Sequence, residues 1–384
     1  MDVLIVSPFC SPDKNVGAIR MSSLIRYLIK AGYHIMVLTN QKAKPVDINF
    51  LQKVEYVDVI YNDKENSHYH CFIRNQEAYC SAFLSFITNN HVDLVIISGG
   101  PFYTFKISKL AKKNNIPCVL DYRDPWTFDD REYKGRMSVL SYIIDAYKSF
   151  FERSYIKDAS AIVTVTPSWV SSFKKKYKCI SDKTYLIENG FDDELLSTLS
   201  LRSSTSFDTS LLNIGVFGKL FYYSIEYSRL FLDTIKDVPG IRINQIGQRE
   251  NNADSILREF GLDSAIVRST GFVDYVEGIN ELYENDVFLI IDNRKGALGT
   301  KIYDYIYLNK PVLYVGPLNS SMANLVSSFE YGFCCCRKED LLKALDRIVS
   351  EKIVSLTKHD TNIYSRSSRN SVWINLINQV SNSI

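Results

Sequence analysis

The 384-residue chain has no run of about eighteen apolar residues, the length that a membrane-spanning helix requires. Its opening, Met1-Asp2-Val3-Leu4-Ile5-Val6, runs straight into a strand pattern without the charge pattern of a signal peptide, which predicts a cytoplasmic protein. The spacing G-x-G-x-x-G is absent throughout, which argues against an NAD enzyme, and no Asp-x-Asp pair occurs. Eight cysteines are scattered without paired metal spacing. The run Cys334-Cys335-Cys336 cannot supply a tetrahedral zinc site alone, so reduced, partly buried thiols are expected. Net charge is only +2, which gives no reason to expect a nucleic-acid partner. No internal repeat is visible.

What is present suits a large folded protein. Hydrophobic residues make up 46% of the chain and charged residues 23%, so two domains can each bury a core and disorder is not expected. The charge is unevenly divided: residues 1–185 carry 25 Lys+Arg against 18 Asp+Glu, a net of +7, and the remainder carries 20 against 25, a net of −5. A mildly basic amino-terminal half suits an anionic membrane surface or a phosphorylated acceptor, although solvated helix faces account for the same numbers.

Short apolar runs alternate with helical periodicity along the whole chain. Strands are predicted at 3–6, 34–39, 92–98, 118–121, 161–165 and 184–187, with helices between them, and the pattern restarts at Leu212-Asn213-Ile214-Gly215-Val216-Phe217-Gly218. Such alternation predicts α/β architecture, two doubly wound parallel sheets in tandem. The expected domains are residues 1–195 and 211–365, with a Ser/Thr-rich linker at 196–210 and a last amphipathic helix within 366–384, carrying Trp373, that packs back.

Chemistry is concentrated where strands end. After the first strand, Gly17 permits close approach of a ligand to the backbone, and Arg20 lies one turn into the following helix, where it can meet a phosphate. Gly99 and Gly100 end the strand at 92–98 and open another concavity. The block Asp121-Tyr122-Arg123-Asp124-Pro125-Trp126 ends the next; Trp126 is set to stack, and Asp124 to orient or deprotonate an acceptor hydroxyl. An ion pair of Arg123 with Asp121 or Asp124 that only shapes the loop is the plainer alternative. Asn189-Gly190-Phe191-Asp192 closes the first half. In the second half, Gly218-Lys219-Leu220 follows the first strand, and Lys219 is suited to neutralise a diphosphate. Arg294 and Lys295 are further cations. The stretch from Leu298, Gly299, Thr300 and Lys301 to Asp304 and Pro311 reads as a strand–loop–helix anion seat, with the helix's leading N–H groups and dipole aimed at a phosphate and Asp304 placed for sugar hydroxyls.

At these residues the chain resembles the GT-B glycosyltransferases, specifically the retaining family 4 group that uses nucleotide sugars and builds bacterial surface polysaccharides. The resemblance implies two Rossmann-like domains facing across a cleft, with a UDP- or GDP-sugar donor held by the carboxyl-terminal domain. Donor contacts fall on Gly17, Gly218, Lys219, Arg294, Leu298, Gly299, Thr300 and Lys301, with Asp304 where the family's second motif glutamate binds ribose. The acceptor side comprises Arg20, Gly99, Gly100, Arg123, Asp124 and Trp126, and Asp124, Lys219 and Lys301 are the implied catalytic groups. The first acid of the family's two-glutamate motif falls on Gly296 here, which departs from the pattern. The family needs neither cofactor nor metal, in keeping with the missing Asp-x-Asp pair. A lipid-linked or saccharide acceptor of O-antigen, capsule or exopolysaccharide synthesis is implied, and the helix over 139–157 with Lys174-Lys175-Lys176-Tyr177-Lys178 offers a peripheral contact with the inner membrane. The alternatives are a sugar-nucleotide 2-epimerase of the same architecture and a non-catalytic nucleotide-sugar-binding subunit.

Overall fold

The computed structural model describes residues 1–10, 16–40, 53–60, 68–127, 139–199 and 211–382, with the side chains of 16, 68 and 139–142 left aside. The chain forms two compact units, Met1–Asn189 with Arg366–Ile384, and Gly190–Ser365.

The first unit runs β1 (Asp2–Val6), α1 (Val16–Lys30), β2 (His34–Asn40), β3 (Lys53–Val57), α2 (His68–Asn89), β4 (Leu94–Ser98), α3 (Ile107–Lys113), β5 (Cys118–Tyr122), α4 (Val139–Asp158), β6 (Ala161–Thr164), α5 (Pro167–Lys176) and β7 (Thr184–Leu186). Its seven strands lie in the order β3-β2-β1-β4-β5-β6-β7, and each recorded pairing is parallel. β1, β4 and β5 are buried almost completely because helices cover both faces, which explains their unbroken apolar runs. Strand β3, Lys-Val-Glu-Tyr-Val, carries polar residues because it lies at the sheet edge.

The second unit continues with α6 (Asp193–Leu196), β8 (Leu212–Phe217), α7 (Ile225–Ile235), β9 (Ile241–Ile246), α8 (Ala253–Glu259), β10 (Val267–Ser269), α9 (Tyr275–Tyr283), β11 (Val287–Ile291), α10 (Lys301–Leu308), β12 (Val312–Val315), α11 (Ser321–Val326), β13 (Gly332–Cys335) and α12 (Lys338–Ser350). Its six-stranded sheet is ordered β10-β9-β8-β11-β12-β13, again with parallel pairs. The local start and stop signals are chemical. Ser224 and Asp274 accept backbone N–H bonds that begin α7 and α9, and Asn309 adopts φ 52° to end α10 before Pro311. In each sheet the chain order reverses once, at β1/β4 and at β8/β11, and ligands in open parallel sheets gather beyond the carboxyl ends of such strands.

The units divide at Asn189 rather than at 195. Phe191 and Leu196 are buried in the second unit's core, and Phe191 N–H bonds the Tyr364 carbonyl at 3.1 Å. The predicted linker therefore begins inside a packed helix, since Leu196 ends α6; its residues 200–210 lie outside the described set. The last helix, α13 (Arg366–Ser381), belongs to the first unit. Trp373, Leu376, Ile377 and Val380 join Met21, Leu24 and Leu28 of α1 in one core, and Arg369 pairs with Glu188 at 2.8 Å.

Candidate functional site

The carboxyl ends of the second sheet gather a cationic seat. Beyond β8, Gly218 takes φ +81°, a left-handed conformation that glycine adopts without strain, and its carbonyl accepts from Gln245 Nε2 at 2.9 Å. Glu250, in the loop after β9, accepts the backbone N–H of Leu220 and Phe221 at 2.7 and 2.9 Å and Gln245 Nε2 at 2.9 Å. One carboxylate thus fixes the loop that carries Lys219. That lysine is half-buried, with Nζ 3.4 Å from the Gln248 carbonyl, a contact too long to hold it firmly.

Beyond β11, buried Asp292 binds Arg294 in a fork, with Nε at 3.0 Å from Oδ1 and Nη2 at 2.6 Å from Oδ2. The Arg294 guanidinium lies 4.3 Å from the Tyr223 ring centroid, and Lys301 Nζ lies 5.9 Å from the same centroid. Two cations thus share one aromatic face, and only Arg294 has a forked carboxylate. Desolvation pulls Lys301 down to about 8, opposed by the field of Asp292 and reinforced by that of Arg294. Thr300 stands at the N-cap of α10 without a side-chain cap bond, and the Tyr303 N–H turns back to the Thr300 carbonyl at 3.1 Å. Asp304 sits in the first turn, nearly buried, and accepts from the Tyr275 hydroxyl at 2.6 Å. Leu298 is buried in the core and shapes the loop from below, and a side chain at Gly299 would reach 3.9 Å from Arg294 Nη2. Gly296 is buried, and the nearest acid before it, Asp292, is held by Arg294.

The first unit treats its candidates differently. Arg20 does not face a ligand: its guanidinium forks onto Asp121 at 3.0 and 2.9 Å and reaches Asn189 Oδ1 at 3.1 Å and the carbonyls of Ile187 and Glu188 at 3.0 and 3.3 Å. Those contacts account for all five of its N–H donors. Arg123 turns back onto the carbonyls of Gly99, at 3.0 and 2.8 Å, and Gly100. Burial pulls it below its usual value. Gly17 lacks a side chain because Arg123 fills that space: a Cβ there would lie 1.7 Å from Nη1. Trp126 stacks, as expected, on Phe102 at 5.2 Å and 10°, and packs against the first unit's core. Asp124 is the exposed carboxylate of this group. The preceding loop residues 11–15 lie outside the described set.

Sequence reasoning missed Tyr223, Gln245, Glu250, Tyr275 and Asp292 around the second seat. Only Tyr223, four residues past Lys219, carried a local hint. It also missed buried Glu152, which accepts Tyr177 Oη at 2.6 Å and the Thr127 hydroxyl, and is held above the usual carboxylate range by burial. Lys176 lies 3.7 Å from it, so this member of the lysine run turns inward.

Two parallel-sheet Rossmann-like units define the GT-B class of fold. Within that class, residues 18–195, just under half of the chain, match the model of Glycosyltransferase Family 4. Among solved structures, the chain is similar to HepE of Anabaena, determined with UDP and glucose: 14% identity, TM-score 0.66, covering 99% of this chain and 100% of that one. A glycosyltransferase of Rickettsia africae matches at 14% identity and TM-score 0.61, covering 100% and 96%. A UDP-GlcNAc 2-epimerase of Neisseria meningitidis, bound to UDP-GlcNAc, matches at 12% and 0.59, covering 99% and 100%. A sequence comparison with curated proteins finds no match. The chain resembles GT-B glycosyltransferases in fold over its whole length, and in sequence over residues 18–195.

Proposed function

We propose that the protein is a retaining glycosyltransferase that takes its sugar from a nucleoside diphosphate sugar seated on the second unit. The observation that carries this reading is the convergence of Lys219, Lys301, Arg294 and the uncapped start of α10 at the strand ends of one sheet, with Asp304 one turn further on. A diphosphate fits the cations and amides, because its charge grows as the glycosidic bond breaks and fixed positive groups there stabilise the transition state most. Asp304, oriented by Tyr275, is suited to accept from ribose hydroxyls beside it. Retention follows if the departing diphosphate takes the proton of the incoming hydroxyl on the same face. In this reading the protein side of the charge is supplied by lysine, arginine and helix amides rather than by a metal.

The acceptor falls to the first unit, with Asp124 as the exposed acid able to orient its hydroxyl. A lipid-linked acceptor of surface-polysaccharide synthesis is favoured by the exposed face of α4. Ile143, Ile144, Tyr147 and Phe150 stand out to solvent beside Tyr69 of α2, which shares a hydrogen bond with Tyr147. No described helix is long and apolar enough to cross a membrane, so the contact would be peripheral. Flotation with anionic vesicles at low and high salt tests it; Phe150→Ser with Ile143→Ser should abolish it.

The reaction is tested by incubating the protein with UDP- and GDP-sugars with and without acceptor extracts. Sugar transfer, lost in Lys301→Met, supports the proposal. A 2-epimerised nucleotide sugar formed without acceptor, or binding with no sugar release, overturns it.

A further inference from the structure

At the amino ends of the first sheet, far along the strands from the loops that carry Arg123 and Asp124, three side chains of metal-ligating chemistry meet, and a second histidine stands against one of them. Asp2 opens β1, His34 opens β2 opposite it in register, and Asp93 immediately precedes β4, the strand on the other side of β1. His91 stands two residues earlier. His34 Nδ1 lies 3.0 Å from Asp2 Oδ1, and His91 Nε2 lies 2.8 Å from Asp93 Oδ1. One ligand atom from each of Asp2, His91 and Asp93 falls within 4.8 Å of the other two.

The Asp93 carboxylate is held in place by the sheet itself. Asp93 N–H donates to the Asp2 carbonyl at 2.9 Å, Asp2 N–H donates to Asp93 Oδ2 at 2.7 Å, and His34 N–H donates to the Met1 carbonyl at 3.1 Å. One oxygen of Asp93 is therefore oriented by the backbone while the other faces His91, the arrangement in which an outer hydrogen bond aims a metal ligand. Tetrahedral bonds of about 2.0–2.1 Å place neighbouring ligand atoms about 3.3 Å apart, so the two observed His–Asp spacings need only small side-chain movements. Two imidazoles and two carboxylates form a mixed nitrogen and oxygen set that suits zinc and its neighbours better than calcium or magnesium.

We propose that Asp2, Asp93 and His91, with His34 as a fourth donor, bind one divalent transition-metal ion at the amino-terminal edge of the first sheet. The site is separate from the sugar chemistry and does not depend on that reading.

The test is a titration of the tag-free full chain with Co²⁺ alone, followed by visible absorption, with Zn²⁺ added as competitor. One equivalent of Co²⁺ with tetrahedral-type bands, displaced by Zn²⁺, is expected. His91→Ala and Asp93→Asn should weaken binding on the order of 10- to 100-fold, and His34→Ala roughly tenfold. His91 is exposed, so His91→Ala should fold and melt as the wild type does without metal. Absence of saturable binding, or binding unchanged in His91→Ala, overturns the proposal whatever the other variants do.

Discussion

The two sheets present cations at the same topological place and use them oppositely. In the first unit, Arg20 and Arg123 are occupied by Asp121, Asn189 and four backbone carbonyls, so their charge holds the strand ends together. In the second unit, Lys219 has one long carbonyl contact, and Lys301 rests on a tyrosine face in the fields of Asp292 and Glu250. Guanidinium groups with planar forks suit permanent internal pairing; ammonium groups on flexible stems suit a charge that a ligand will later meet. Position after a strand thus does not by itself decide what a cation does; in the proposed reading, the lysines with few fixed partners are the ones left for a ligand.

The contrast predicts unequal consequences of mutation. The largest loss of stability should come from Arg20→Met, which leaves Asp121 buried without its partner and costs about 3–5 kcal/mol; thermal unfolding measures it, and a normal melting temperature with lost donor binding would reverse the assignment. Lys301→Met should do the opposite, leaving melting near wild type while turnover falls by on the order of 10²–10³, the effect of one lost transition-state donor. Lys219→Ala should follow the same pattern with a smaller loss, because its side chain is less enclosed than that of Lys301.

A pH profile sharpens the comparison. With Lys301 at about 8 in the free protein, affinity for a nucleoside diphosphate is full below that value and declines as pH rises through it, because the bound anion favours the protonated form. Calorimetric titration across this range should show the decline, and Lys301→Arg should flatten it. The smallest effect is expected of Tyr275→Phe, which removes one hydrogen bond to Asp304 and should weaken donor binding by roughly 0.5–1.5 kcal/mol.

The sheets were legible in the sequence because buried parallel strands read as continuous apolar runs, from Val3–Val6 through Val312–Val315. The edge strand Lys53–Val57 was not, since half of it faces water. That the last helix packs back was legible from its apolar face, but not that it joins the first unit, because Trp373 and its partner Met21 are hundreds of residues apart. The strand–loop–helix segment that carries Thr300–Asp304 was readable because its parts are consecutive. Arg20 was misread because Asp121 lies 101 residues away, and Gly17 because the group needing its space, Arg123, lies in another loop. The loop of Gly218 and Lys219 was legible as a strand end, whereas Glu250 and Gln245, which hold that loop, carry no local signature.

The central claim is that a nucleoside diphosphate binds the second unit's lysine-bearing strand ends. Calorimetric titration of UDP and GDP into the wild type, Lys301→Met and Arg123→Met tests it most directly. The account predicts one site per chain, weakened on the order of 100-fold in Lys301→Met and unchanged in Arg123→Met among molecules that remain folded. Equal affinity in wild type and Lys301→Met, or no binding of either nucleotide at saturating concentration, would contradict it.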